Sequence, residues 1–310
     1  MIPVYIINGF LDSGKTEFIN YTISQPYFQT RDKTLLIVCE EGEVEYDPAL
    51  LKKSRTSMEL VEEEKDFTNA NLTALEKKHR PGRIIIEWNG MWNFKDMKLP
   101  RNWEVEQQIT MIDGSTFQLY YTNMRSLLAE MIRKTEMVIM NRCDGLDEQL
   151  PSFKRNLKAV NQQMDVVFEN AEGEMSNLFE EDLPYDLKAD VIELDDSSYG
   201  IWFIDTMDHV ERYVGKTFSY LAQVGRPDDY PKGYFLPGRL IMTCCAEDIS
   251  FFGFACEYAG AEGLRVEEWV KVTARMDLEE WMDYEGKGPV MKAVSIVKVK
   301  GPKERVISFS

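Results

Sequence analysis

Histidine is almost missing from this 310-residue chain: only His79 and His209 are present. That scarcity excludes a histidine-rich zinc site. Cysteine is sparse as well, at positions 39, 143, 244, 245 and 256, with no spacing that reads as a disulfide framework. A reducing compartment would keep all five as thiols. No run approaches the roughly 20 apolar residues of a membrane span, and no basic segment with an apolar core marks a secretion signal. A cytoplasmic protein with no direct membrane insertion is therefore expected. Positive charge is also in deficit: 36 Lys and Arg stand against 53 Asp and Glu, for a formal net charge of -17. That balance disfavours nucleic acid and anionic membrane surfaces, both of which reward basic patches. The hydrophobic residues, 44% of the chain, are ample for a packed core and for two domains.

The most informative pattern lies near the start. Pro3-Val4-Tyr5-Ile6-Ile7-Asn8 reads as a buried strand, and Gly9-Phe10-Leu11-Asp12-Ser13-Gly14-Lys15-Thr16 follows it at once. This is the phosphate-binding loop G-x-x-x-x-G-K-[ST] in its strand-then-helix context. Gly9 and Gly14 let successive backbone N–H groups aim at phosphate oxygens, and the next helix presents its positive end to the same anion. Lys15 then reaches the β- and γ-phosphates and the Thr16 hydroxyl ligates Mg²⁺. On this reading Lys15 serves the ligand and not the core, so its replacement is expected to leave the nucleotide-free fold unchanged.

Two further segments follow in the order a GTPase needs. Arg83-Ile84-Ile85-Ile86-Glu87-Trp88-Asn89-Gly90 is a second buried strand. It ends in a carboxylate placed to hold Mg²⁺ or its water, with the Gly90 N–H able to sense the γ-phosphate. Met137-Val138-Ile139-Met140-Asn141-Arg142-Cys143-Asp144 is a third, ending in N-[K/R]-x-D. Asp144 can accept two hydrogen bonds from the N1–H and exocyclic amine of guanine, a donor pair adenine lacks. Asn141 would brace the loop, while Arg142 stands for the usual lysine and can lay its flat guanidinium along the base.

With these motifs in order, the first 185 residues or so resemble the CobW-like GTPases that handle metal ions. The family's G-F-L-G-x-G-K-T is matched by Gly9 to Thr16, its N-E-F-G-E…D switch segment by Cys39-Glu40-Glu41-Gly42-Glu43 and Asp47, its I-E-T-T-G by Ile86 to Gly90, and its V-V-D by Met111-Ile112-Asp113. The resemblance implies GTP/GDP and Mg²⁺ as cofactors and a second metal. It also implies that Glu40 or Asp47 orients water or metal. Two departures bear on function. Asp12 stands where the family has glycine, a position Asp tolerates because it accepts a left-handed backbone. The family's C-x-C-C metal motif is missing; in its place runs Leu60-Val61-Glu62-Glu63-Glu64-Lys65-Asp66-Phe67. Carboxylates such as Glu64 and Asp66 favour harder ions, Mn²⁺ or a mixed-ligand Zn²⁺ site, although such a run is commonly only a solvated face.

The alternation of strand and helix in the first part predicts an α/β doubly wound sheet. Strands are expected near 2–8, 34–39, 83–87, 108–112, 136–141 and 164–169, with helices near 15–24, 70–79, 117–134 and 149–162. The expected organisation is a P-loop GTPase domain over 1–185, an acidic linker over 186–204 and a second, smaller β-rich domain over 205–310. Short strands near 216–225, 234–245, 251–258, 268–276 and 290–299 suit an OB-like barrel. Gly215-Lys216-Thr217, the segment Pro237 to Asp248 and Trp269-Val270-Lys271-Val272 are similar to the C-terminal domain of YcgQ-type permease subunits. Cys244 and Cys245 with Glu247 and Asp248 are a second candidate metal site. The duller alternative is a pair of small hydrophobes, since adjacent residues on a regular strand face opposite sides.

The function expected is slow GTP hydrolysis coupled to metal-ion handling or delivery. The alternative is a non-catalytic, GTP-dependent regulator that docks a membrane permease or another protein. The partner classes are the guanine nucleotide and a metal-receiving protein or permease. The sequence leaves homodimer formation and the identity of any second metal, Zn²⁺ or Mn²⁺, open.

Overall fold

The structure, a computed structural model, describes residues 1–175, 183–243, 248–284 and 286–308. It divides into two compact units, Met1–Phe179 and Glu180–Ser310.

In the first unit β1 (Ile2–Asn8) leads through the Gly9–Gly14 loop into α1 (Lys15–Ser24). Then come β2 (Thr34–Val38), α2 (Pro48–Lys53), β3 (Thr56–Leu60), α3 (Asn69–His79), β4 (Arg83–Glu87) and β5 (Trp103–Asp113). The unit continues with α4 (Gly114–Asn123), α5 (Arg125–Ile132), β6 (Met137–Asn141), α6 (Leu150–Lys158), β7 (Asp165–Asn170) and β8 (Gly173–Glu174). The sheet order is β3-β2-β4-β1-β5-β6-β7-β8, parallel throughout except for β7 with β8. Parallel strands covered on both faces read as unbroken apolar runs, as T-L-L-I-V and R-I-I-I-E do here. Alternate side chains feed separate cores. Val4, Ile6, Leu35, Ile37, Ile84 and Ile86 pack with Leu72 of α3, whereas Ile7, Leu36, Val38 and Ile85 pack with Ile19 and Ile23 of α1. Helices thus cover both faces, which makes the sheet doubly wound. Because β1, β4, β5 and β6 run the same way, the Gly9–Gly14 loop, Glu87, Asp113 and Asn141 all emerge at one edge of the sheet, the usual place for a ligand in such folds.

Two local expectations differ from what is found. The helix expected over 117–134 is two helices, interrupted where Met124 leaves helical geometry at φ -133°. Strand β3, T-S-M-E-L, is no continuous hydrophobic run because it is an edge strand whose residues after the buried Thr56 alternate between half-buried and exposed.

The second unit contains β9 (Ile192–Leu194), α7 (Asp196–Asp208), β10 (Thr217–Gly225), β11 (Tyr234–Met242), β12 (Ile249–Gly253), β13 (Cys256–Glu257), β14 (Trp269–Glu280), β15 (Lys287–Lys298) and β16 (Val306–Ser308). The pairings form a cycle, β10 to β14 to β15 to β13 to β11 and back to β10. The stretch expected as an acidic linker over 186–204 is ordered structure within this unit. β9 pairs with β10 through Ile192 opposite Phe218, and Asp195 caps α7 in a capping box with Ser198. The acidic D-D-S-S run is therefore a helix start. The residues after it, Tyr199, Trp202 and Phe203, are buried, with Trp202 against Phe218 and Phe254 at ring distances of 5.1 and 5.2 Å. The strand expected near 251–258 is two short ones, β12 and β13, each pairing with a different stretch of β11.

Candidate nucleotide site

The loop after β1 takes its shape from backbone conformations that few side chains allow. Gly9 (φ 144°), Asp12 (φ 57°) and Gly14 (φ 93°) all have positive φ. Asp12 does so as a residue type that tolerates the left-handed region. A methyl group on Gly14 would stand 2.5 Å from Asn141 Nδ2, so Asn141 packs directly against the Gly9–Gly14 loop. Gly14 is the N-cap of α1 and no side chain caps the first turn, which leaves the positive end of that helix open to an anion.

Lys15 is buried at 4% exposure. Its Nζ donates to the carbonyls of Gly9 and Phe10, at 3.0 and 2.8 Å, and to Glu40 Oε2 at 2.9 Å. The lysine therefore has a structural as well as a ligand-facing position. Its removal would leave the largely buried Glu40 carboxylate without its cation and cost stability, contrary to the sequence expectation. Next to it, Thr16 Oγ1 donates to Glu87 Oε1 at 2.8 Å, and the Tyr46 hydroxyl donates to Glu87 Oε2. Burial raises the Glu87 carboxyl above the ordinary carboxylate range, and the hydrogen bonds from Tyr46 and Thr16 only partly offset it. The Tyr46 hydroxyl is pushed up by burial and by the nearby Glu87 charge.

Asn141 Nδ2 donates to the Ser13 carbonyl at 2.8 Å, and Arg142 Nη1 to the Asp12 carbonyl at 2.7 Å and to Asp113 Oδ2. Burial alone would raise the Asp113 carboxyl, but hydrogen bonds from Ser115 and Arg142 outweigh it and hold it low. Two buried oxygens beside the loop, Ser13 Oγ and Asn141 Oδ1, have no hydrogen-bond partner. Lys15, Thr16, Glu87, Glu40, Asp12, Gly14 and Arg142 line a single cavity of about 100 Å³ together with Glu17, Glu43 and Val44. Gly90 backs it: a Cβ there would stand 2.3 Å from the Gly9 carbonyl oxygen.

The CobW/HypB/UreG nucleotide-binding domain matches residues 3–168, more than half of the chain. The chain belongs to that family. Downstream, the DUF1980 C-terminal domain matches residues 169–307. Among solved structures the chain is similar to the hydrogenase maturation factor HypB from Archaeoglobus fulgidus, with 15% identity, 56% of this chain and 82% of that chain covered, and a TM-score of 0.40. It is also similar to HypB from Helicobacter pylori in complex with nickel, with 12% identity, 55% and 80% covered, and a TM-score of 0.37. Yeast RPA bound to ssDNA matches at 9% identity over 37% of this chain and 80% of that chain, with a TM-score of 0.23. These structural likenesses are too weak to bear on ligand or activity.

Within this CobW/HypB/UreG domain the remaining sequence candidates lie elsewhere. Asp47 does not line the cavity. It is the N-cap of α2, its Oδ1 accepting from the Ala49 N–H at 2.8 Å, because a short helix opening with proline needs an acceptor for its free amides. Asp144 Oδ1 accepts from the Ala171 N–H at 3.2 Å and is also outside the cavity lining. Glu64 and Asp66 sit on an exposed 3₁₀ turn, where Glu64 Oε1 accepts from the Asn93 N–H at 3.2 Å. They are not brought together with the nucleotide site. Among the described residues no group of three or more His, Cys, Asp or Glu side chains is arranged to hold a metal ion. Cys244, Cys245 and Glu247 lie outside the described residues. Tyr46 is the site residue that motif reading misses; no pattern marks it, since its role depends on a hydroxyl reaching across the switch segment to Glu87. No helix among the described residues is long and apolar enough to cross a membrane.

Proposed function

We propose that this chain binds and hydrolyses GTP with Mg²⁺ and couples its nucleotide state to the handling of a metal ion. The observation that carries the reading is the contact between Thr16 Oγ1 and Glu87 Oε1 at 2.8 Å, beside the Lys15 ammonium. These are the oxygen donors and the cation a Mg²⁺-bound triphosphate requires. The residues fit the ion: the donor set is oxygen only, and Thr16 and Glu87 already face one another. Mg²⁺ bound there would neutralise charge on the β- and γ-phosphates.

The chain's own groups would divide the rest of the work. The Gly9 to Gly14 backbone and the open end of α1 receive the phosphates. Lys15 exchanges Glu40 for the γ-phosphate, and Glu40 must swing away for it to do so. Asp144, with Asn141 and Arg142 holding its loop against Ser13 and Asp12, reads guanine. On this reading the second unit, with its closed cycle of pairings, is an OB-like barrel serving as the metal or partner module, Cys244 and Cys245 being its candidate thiolate ligands.

One observation favours the non-catalytic alternative of a GTP-dependent docking protein. Asp47 is committed to capping α2, and Glu40 is paired with Lys15 and would become available to orient water only after the γ-phosphate displaced it. Phosphate release from GTP, with and without added Zn²⁺ or Mn²⁺, separates the readings. Slow release that Thr16→Ala abolishes supports the GTPase, and binding without release supports the docking protein. Elemental analysis of the dialysed protein and of Cys244→Ser with Cys245→Ser tests the metal half, and no metal beyond Mg²⁺ in either removes it.

A further inference from the structure

At the opposite edge of the sheet, where β2, β3 and β4 begin, lies a concavity of about 800 Å³. Arg31, Lys33, Lys52, Arg55 and Arg80 line it against a single carboxylate, Asp32. Five cations around one opening stand out on a chain with a net charge of -17. Among the described residues none of the five forms an ion pair. Helix ends explain part of the clustering: parallel strands start where helices finish, and α2 and α3 carry Lys52, Lys53, Lys77 and Lys78 in their last turns, where cations suit the helix dipole. Arg31 and Lys33 precede β2 and belong to no helix.

Arg55 and Arg80 add an independent signal. Both have left-handed backbones, φ 55° and 49°, at helix exits where glycine is the usual residue. A non-glycine residue in this region costs backbone energy, and both of these arginines line the same opening. Arg55 Nη1 donates to the Arg31 carbonyl at 2.8 Å, which fixes one wall. Gly82 closes another, since a Cβ there would stand 2.4 Å from Asp32 Cβ.

We propose that this basic concavity is a second anion site, separate from the Gly9–Gly14 loop, and that it takes a small polyphosphate. The concavity is broad and open to solvent, which suits a charged ligand, and guanidinium groups match phosphate oxygens in pairs. The acidic whole-chain charge repels an extended polyanion more than a small one held within the local basic cluster. Leu51 and Pro81 on the wall leave room for an apolar portion, as in a nucleoside polyphosphate.

The probe is inorganic tripolyphosphate, titrated calorimetrically into the full chain at low ionic strength, with amide hydrogen exchange to place it. Binding should slow exchange over 31–33, 52–57 and 80–82, and Arg55→Gly with Arg80→Gly should weaken that binding at least tenfold. Glycine suits both backbones, so the double variant should melt no lower than the wild type. Protection confined to the Gly9–Lys15 segment, or undiminished affinity in the variant, overturns the proposal. So does binding to heparin fragments or phosphatidylserine vesicles without binding to tripolyphosphate, which would assign the face to a macromolecule.

Discussion

The Lys15 ammonium stands 2.9 Å from the Glu40 carboxylate, with the two side chains 3% and 12% exposed. On the proposed reading Glu40 occupies the cation that would serve a γ-phosphate, and the two anions would compete for it. Glu40→Gln keeps the shape and removes the competing charge. It should tighten triphosphate binding by about tenfold, or about 1.4 kcal/mol, within the range for one hydrogen bond to a charged group. Titration with a fluorescent GTP analogue measures it; weaker binding in the variant would mean that Glu40 assists the ligand.

Gly90 and Gly9 approach so closely that no side chain fits between them. A Cβ on Gly90 would lie 2.3, 2.7 and 2.9 Å from Gly9 O, Gly9 C and Phe10 N, all backbone atoms that yield only if the phosphate loop moves. Gly90→Ala should therefore cost about 1–3 kcal/mol through overpacking and weaken GTP binding by tenfold or more. Unchanged affinity by calorimetry would show that the loop's position is not what holds the nucleotide.

Much of this site is legible in the sequence because its carriers are local. G-x-x-x-x-G-K-T, I-I-I-E and N-R-C-D each follow an apolar strand, and parallel strands bring their ends to one edge. Tyr46, the Lys15–Glu40 pair and the capping role of Asp47 depend on the path of the switch segment between β2 and α2, which no periodicity fixes. Composition misleads at 186–204. Asp195-Asp196-Ser197-Ser198 has the polarity of a connector, yet the Asp195 carboxylate accepts from the first amides of α7, and the burial of Trp202 is visible only once β9 and β10 are paired.

Asp195 offers a pH test of that cap. Hydrogen bonds from Ser197 and Ser198 lower its carboxyl from 3.8 to about 2. A carboxyl held below its unfolded value stabilises the fold above that value, and the contribution fades as pH falls from about 4 towards about 2. Asp195→Ala should cost about 1 kcal/mol at neutral pH, measured by urea unfolding of the second unit, with the gap to wild type closing in that window. A gap that persists unchanged in acid would remove the carboxylate from the account.

Guanine-specific, Mg²⁺-dependent binding at the Gly9–Thr16 loop is the claim on which the rest depends, and calorimetry with GTP and ATP in the presence of Mg²⁺ tests it most directly. If Asp144 reads guanine as proposed, it accepts from two donors that adenine lacks, and GTP should bind more tightly on the order of 2–4 kcal/mol. Asp144→Asn should move the preference towards xanthine nucleotides. Equal affinities for GTP and ATP, or no effect of Asp144→Asn, would contradict the account.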